Sequence, residues 1–186
     1  MGMPTASEFS TVLTSGKGGG ESKTRRTYLY KLAGERITGQ PMESYTNKYM
    51  ERGKEMEGEA RAYYQMLTDT AAQRVGFIRN LKKGCSPDAL IGKSGMLEIK
   101  TAAPHILIDV LEADAVPPEH IPQLQGGLWV SEREWIDLLI YFPRMPAFMR
   151  RIHRDEAYIA KLAAAVNQFN DELDALTDRI KAKQGS

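Results

Sequence analysis

Residues 84–100 read GCSPDALIGKSGMLEIK. Ser86-Pro87 is a turn signal, Ala89–Gly92 and Met96–Thr101 are short apolar runs, and Lys93-Ser94-Gly95 separates them. The stretch therefore predicts two short strands joined as a hairpin. Side chains alternate faces along a strand, so Glu98 and Lys100 share one face while Leu97 and Ile99 point into the core. Asp88 opens the neighbouring strand, and pairing across the hairpin brings it to Glu98. Two carboxylates with a backbone carbonyl and waters suit Mg²⁺, a hard cation that keeps part of its hydration shell. Lys100 is placed to help deprotonate an attacking water or to neutralise charge on a pentavalent phosphate. Such a hairpin suggests a site that holds a cation and handles phosphate.

Upstream, residues 44–68 give the clearest helical pattern. Tyr49, Met50, Gly53, Met56, Ala60, Tyr63, Tyr64 and Leu67 recur three and four apart. Glu57 falls at i+4 from Gly53, i−3 from Ala60 and i−7 from Tyr64, which predicts that it points along the buried side. Glu51, Glu55 and Glu59 spread round the wetter faces. An inward carboxylate needs a cation or donors to meet it. Glu57 is thus a third carboxylate for the hairpin and a candidate for a second metal, which would stabilise both attacking and leaving oxygens.

The other elements frame these two. TASEFSTVLT at 5–14 predicts a short helix with a capping box from Thr5 to Glu8. SGKGGGES at 15–22 predicts a flexible Gly-rich loop; it lacks the Gly-Lys-Ser/Thr ending and the preceding strand of a phosphate-binding P-loop. Residues 23–34 predict a basic helix and 35–43 a loop. A further strand is expected at Arg74–Arg79, a helix at Pro104–Glu112, and another from Pro117-Pro118 to about Val130. Trp135–Phe142 reads as a buried strand and Phe148–His153 as an edge strand. The long C-terminal helix of 155–183 carries Leu162, Val166, Phe169, Leu173, Leu176 and Ile180, alternating four and three apart. That stripe packs on the domain or on a second chain.

Composition bounds the rest. The chain has 186 residues, 42% of them hydrophobic and 26% charged, which predicts one globular domain over 1–186. No run reaches the roughly 18 apolar residues of a membrane span. The opening MGMPTASEFS has no basic-then-apolar signal segment. With a single cysteine, Cys85, the expectation is a reducing cytoplasm and no structural zinc site. Cys85 itself reads as a buried small residue, Trp129 and Trp135 as packing residues, and His105, His120 and His153 as surface or loop residues without ligand spacing. The formal net charge is only +1, yet residues 1–104 hold 16 basic against 11 acidic residues, and 105–186 hold 9 against 13. The basic half is the one that carries the hairpin, a weak pointer to a polyanion.

The order Glu57, Ser86-Pro87-Asp88 and, after nine further residues, Glu98-x-Lys100 resembles the PD-(D/E)xK nucleases. More closely, the chain resembles their phage lambda exonuclease branch, the YqaJ-like viral recombinases. TASEF at 5–9, GKEMEGEAR at 53–61, CSPDALIGKSGMLEIKTA at 85–102, PQLQGGLWVS at 122–131 and YFPRM at 141–145 match that branch in order. The resemblance spans about 5–155. It implies an α/β restriction-endonuclease-like core, with a central mixed sheet flanked by helices, and a Mg²⁺-dependent enzyme in which Mn²⁺ substitutes. It implies digestion of linear double-stranded DNA from the 5′ end, leaving 3′ single strands for an annealing protein, by a ring-shaped homotrimer. Such a protein is phage or prophage encoded and works in the bacterial cytoplasm.

Carried over by position, Asp88, Glu98 and the Ile99 carbonyl hold metal, Glu57 serves a second metal and Lys100 assists the water. Ser7, Ser86 and Gln123 lie near the phosphate of the DNA end, Lys48 touches the backbone and Met50 wedges a terminal base pair. Family members with a strong 5′-phosphate pocket carry an Arg shortly before the Thr-Ala-Ser-Glu helix. None precedes Thr5 here, and Arg25 and Arg26 are the candidates to replace it. Two alternatives stand beside this reading. One is a superfamily endonuclease, restriction-like or junction-resolving, against which the Gln123 block and the Glu57 helix argue. The other is a catalytically silent DNA-binding protein, against which the intact Asp88, Glu98 and Lys100 argue.

Overall fold

The computed structural model describes residues 2–16, 18, 20, 22–42 and 48–183; the side chains of 48–55 are outside the description. Strand β4 (Ala89–Ile91) pairs antiparallel with β5 (Gly95–Thr101), with Ala89 opposite Leu97 and Ile91 opposite Gly95. The turn is Gly92–Ser94, one residue earlier than the sequence suggests. Gly95 already belongs to β5 because the Trp135 ring lies where its Cβ would be, 2.2 Å away, so only glycine fits there. Beyond β5 the sheet continues with β6 (Trp135–Tyr141), parallel to β5, and then β7 (Phe148–His153), antiparallel, at the edge. The two-residue β1 (Ala72–Gln73) closes the other edge on β4. The result is a five-stranded mixed sheet in the order β1-β4-β5-β6-β7.

Both faces of this sheet are covered. On one, α3 (Lys48–Thr68) lays Met56, Ala60 and Tyr64 against Leu97, Ile99, Leu139 and Tyr141. On the other, α4 (Pro104–Ala113) and α5 (Ile121–Ser131) pack Leu107, Leu124 and Leu128 on Met96, Ile136, Leu138 and Ile140. Residues 97 and 99 thus face α3, while 96, 98 and 100 face α5. A third layer joins α1 (Phe9–Leu13), α2 (Lys23–Thr38) and α6 (Glu156–Ala182) through Phe9, Val12, Tyr28, Leu29, Phe169 and Leu173. The stripe on α6 packs on α1 and α2 of its own chain. Asp155 caps that helix by accepting from the Tyr158 N–H.

Two sequence expectations need correction, and one strand, Lys83–Cys85, was not expected. Helix α2 runs on to Thr38 and ends at Gly39 in the left-handed conformation, so of the expected 35–43 loop only 39–42 is non-helical among the described residues. Buried Leu32 and Ala33, and Arg36 bound to Asp174, hold the extra turn. The strand expected at Arg74–Arg79 is split: Ala72–Gln73 joins the main sheet, and Ile78–Asn80 (β2) pairs with Lys83–Cys85 (β3) in a separate two-stranded ribbon. Gly76 lies in the break between them, where a ladder is weakest. β3 is too short and too rich in Lys and Gly to register as a strand by propensity. It exists because β2 pairs with it on one side and Thr5 bridges to Gly84 on the other.

Candidate active site

Pro87 is buried at the entrance to β4 and delivers Asp88 to the position just before the strand. The Asp88 N–H donates to the Leu97 carbonyl at 3.2 Å, which extends the ladder by one pair. Its Oδ2 then accepts from the Ile99 N–H at 2.5 Å. Glu98 stands on the α5 face and is only 6% exposed. Lys100, one pleat further on that face, donates from Nζ to Glu98 Oε1 at 2.7 Å. Gln123, from the first turn of α5, completes a closed triangle: its Oε1 accepts from Lys100 Nζ at 2.9 Å and its Nε2 donates to Glu98 Oε1. The α5 helix thus supplies both a donor and an acceptor to the strand.

Burial and like charge act together here. Desolvation, reinforced by the Glu98 charge, lifts Asp88 to about 7, against the opposing pull of the Ile99 N–H. Burial also raises Glu98, opposed by the Lys100 charge and the Lys100 and Gln123 hydrogen bonds. Two carboxyls on one hairpin therefore resist ionising together.

Beside them lies a cavity of about 200 Å³, lined by Ser7, Ser86, Glu98, Gln123 and Cys85 among others. Ser7 reaches it on the 3₁₀ turn Ala6–Glu8, which is docked by the Thr5–Gly84 bridge and by Gly84 N–H donating to the Pro4 carbonyl at 3.1 Å. Burial, then the Glu98 charge, pushes the Cys85 thiol to about 12, so it is an inert wall.

The structure gathers Ser7, Ser86, Asp88, Glu98, Lys100 and Gln123 at this place. The other candidates lie apart or outside it. Glu57 is half-buried rather than inward, because the buried stripe of α3 is Met56, Ala60 and Tyr64 and the next residue is rotated by about 100°. It pairs with Arg61 at 3.1 Å, although its charge still raises Asp88 and Glu98. Among the described residues no three acidic, thiol or imidazole groups converge as a ligand set. Glu59, expected on a wet face, accepts from the Tyr141 hydroxyl at 2.6 Å. Arg25 binds Glu172 at 2.6 Å and stacks over Phe169, facing α6 rather than the cavity. Arg26 is exposed on α2. Lys48 and Met50 begin α3, and their side chains lie outside the described residues.

One neighbour escaped the sequence reading, and another, His120, was read only as a surface or loop residue. Asp137 is 3% exposed inside β6 and accepts from the Tyr64 hydroxyl at 2.7 Å and from Arg151 at 2.8 and 2.9 Å. The signal was present, since a lone carboxylate interrupts the apolar run WIDLLIYF. His120 is half-buried before α5, its imidazole lowered by burial and then by the Lys100 charge.

The sequence profile of the YqaJ-like viral recombinase domain matches residues 1–134. The fold matches two crystal structures of LHK-Exo, an alkaline exonuclease from Laribacter hongkongensis, one of them in complex with dAMP. Their TM-scores are 0.89 and 0.88 at 33% identity, covering 99% of this chain and 94% of theirs. A phage-related exonuclease from Haemophilus somnus 129PT shares the fold at TM-score 0.71 and 15% identity, over 96% of both chains. A comparison with curated protein sequences finds no significant match.

Proposed function

The chain belongs to the YqaJ-like viral recombinase family, and from that premise we propose that this deoxyribonuclease digests one strand of linear duplex DNA from its 5′ end with Mg²⁺. The observation that supports the reading best is the convergence of Asp88, Glu98 and Lys100, locked by Gln123, beside a cavity edged with the Ser7 and Ser86 hydroxyls. The donor set fits a hard divalent cation. Two carboxyls kept from ionising by burial and by each other are what a cation would relieve, and oxygen ligands favour Mg²⁺ or Mn²⁺ over softer metals. Asp88, Glu98 and the Ile99 carbonyl would hold it, with Glu57, released from Arg61, serving a second. Such a cation, when bound, acidifies water and offsets charge on the phosphate.

The chain's own groups do the rest. Lys100 Nζ is held against Glu98 and Gln123, so its ammonium is fixed in place before substrate arrives. There it donates to the oxygen on which negative charge develops, at no reorganisation cost during the step. Gln123 Oε1 sets the direction of that amine. The Ser7 and Ser86 hydroxyls donate to phosphate oxygens in the cavity. The Arg25 and Arg26 region, Lys48 and Met50 would meet the duplex outside it.

In this reading residues 1–186 act as one nuclease unit, the product is a 3′ single strand for an annealing protein, and the assembly is a homotrimer in the cytoplasm of a bacterial host. Among the described residues no helix is long and apolar enough to cross a membrane. The test is linear duplex DNA labelled at the 5′ or the 3′ end, beside nicked-circular and closed-circular DNA, with Mg²⁺ or chelator. Early, metal-dependent loss of the 5′ label from linear DNA alone is expected. Cutting of closed circles would replace the reading with an endonuclease, and retention without cutting would replace it with a binding protein.

A further inference from the structure

A second cleft, about 480 Å³ in volume, opens between the β2–β3 hairpin and α6, away from the catalytic cavity. Arg79, Lys82 and Lys83 line it together with a single carboxylate, Asp171. Lys82 also reaches Asp174 at 2.6 Å. Lys83 is nearly buried, its ammonium 4.4 Å from the Trp129 ring centroid, and burial lowers its pKa. A desolvated cation of this kind gains from an anion that shares its site.

Two further features are not explained by an anion alone. Asn170 is 4% exposed and lines the cleft, yet its Oδ1 has no hydrogen-bond partner among the described residues. A buried acceptor left unpaired bears its full desolvation cost, and it repels phosphate oxygen. It asks for a donor. Leu81, at the hairpin tip, is 80% exposed and has φ of 54°, a left-handed conformation that a leucine rarely adopts. Strained positions of this kind gather at ligand clamps. Cations for a phosphate, an acceptor for a base or sugar donor, and an apolar contact for a ring are the three demands of one chemical class.

We propose that this cleft binds a nucleoside 5′-phosphate unit, with its phosphate on Arg79, Lys82 and Lys83, a base or sugar donor on Asn170 Oδ1, and Leu81 against the nucleoside. The unit comes either from a single strand or from the released mononucleotide. β3 connects the cleft to the catalytic cavity: Lys83 lines one and Cys85 the other, two residues or about 7 Å apart along the strand. The proposal rests on the deoxyribonuclease assignment but not on its polarity or its metal.

The experiment is calorimetric titration of the whole chain in chelator, which removes metal-dependent binding at the catalytic cavity. The probes are deoxyadenosine 5′-phosphate, a 5′-phosphorylated thymidine tetranucleotide and inorganic phosphate. Lys83→Met keeps the stem over Trp129 and is expected to weaken both nucleotides about tenfold. Asn170→Leu is expected to weaken both nucleotides about three- to tenfold, to leave inorganic phosphate unchanged, and to raise Tm, because it removes the unpaired acceptor. A tetranucleotide that binds tighter than the mononucleotide identifies a strand as the source; equal affinities identify the released product. The proposal is overturned if neither variant changes binding, if Asp88→Asn alone abolishes it, or if inorganic phosphate binds as tightly as the nucleotides. It is also overturned if Leu81→Asp lowers the mass in solution, which would give the cleft to a second copy of the chain. End-label polarity, measured separately, decides the exonuclease reading whatever this result.

Discussion

Asp88 has a pKa near 7 without metal, well above an ordinary carboxylate, and this sets a sign. The folded state holds a proton that the unfolded state has already released between about pH 4 and 7, so stability of the metal-free chain falls as pH rises through that window. The full shift corresponds to at most about 4 kcal/mol. Chemical denaturation in chelator from pH 4 to 8 should show the decline. Mg²⁺ should reverse it at pH 8, and Asp88→Asn should flatten it. If the same carboxylates serve an ion more than the DNA, as proposed, Asp88→Ala or Glu98→Ala should abolish cleavage while duplex binding survives. Near-normal turnover by either variant would remove both from the reaction. Lys100→Ala should cost about 10²–10³-fold in single-turnover rate if its amine meets developing charge. An ordinary exposed ion pair would cost almost nothing. Strand alternation made the approach of Asp88, Glu98 and Lys100 legible in the sequence, because period two fixes which side chains share a face. The Gln123 triangle was not legible as bonding, since it joins residues 23 and 25 positions apart through packing of α5 on β5.

Helices carried their own signatures: apolar periodicity marks α3, α4, α5 and α6, a proline opens α4 and α5, Asp155 caps α6, and among the described residues their bounds differ from the sequence reading by a few residues at most. Short strands did not, because β1 and β3 exist through partners rather than through composition. The α3–sheet contact has a polar pin that periodicity cannot reveal, the Tyr64 hydroxyl on Asp137, which Arg151 also grips while lying 3.6 Å from the Trp135 ring centroid. Tyr64→Phe should therefore lower stability by about 1–3 kcal/mol, since it strips a donor from a buried carboxylate. Asp137→Ala should cost a similar amount, about 1–3 kcal/mol, by leaving the buried tyrosine hydroxyl unpaired, because the half-exposed Arg151 regains water. Urea midpoints of the two variants measure this. Equal midpoints to the wild type would show that the pin is incidental to α3.

The charge of the whole molecule is close to balanced, so electrostatic grip on DNA by one copy is weak and salt-sensitive. A closed ring would escape that limit, because a topologically linked enzyme cannot leave between cuts. Light scattering should then report about three times 20.8 kDa, and digestion already under way should survive salt that blocks loading. A monomer that stops at once under the same challenge would remove the ring and leave the nuclease assignment intact.

The last helix has a bearing on when the enzyme comes alive. α6 supplies Glu172 to Arg25, Asp174 to Arg36 and Lys82, and Phe169 and Leu173 to the layer that seats α1 and α2. The Ser7 turn is anchored by that same layer through Tyr28, whose hydroxyl accepts from the Thr5 N–H. The ribosome makes these 27 residues after the hairpin and the Ser7 turn, at about 5–20 residues per second. Until they emerge, a nascent chain carries Asp88, Glu98 and Lys100 but lacks the layer that seats Ser7 beside them. The order of synthesis thus predicts that cleavage waits for α6: a chain stopped before Glu156 should leave DNA intact in a nuclease assay, although it carries every residue of the hairpin.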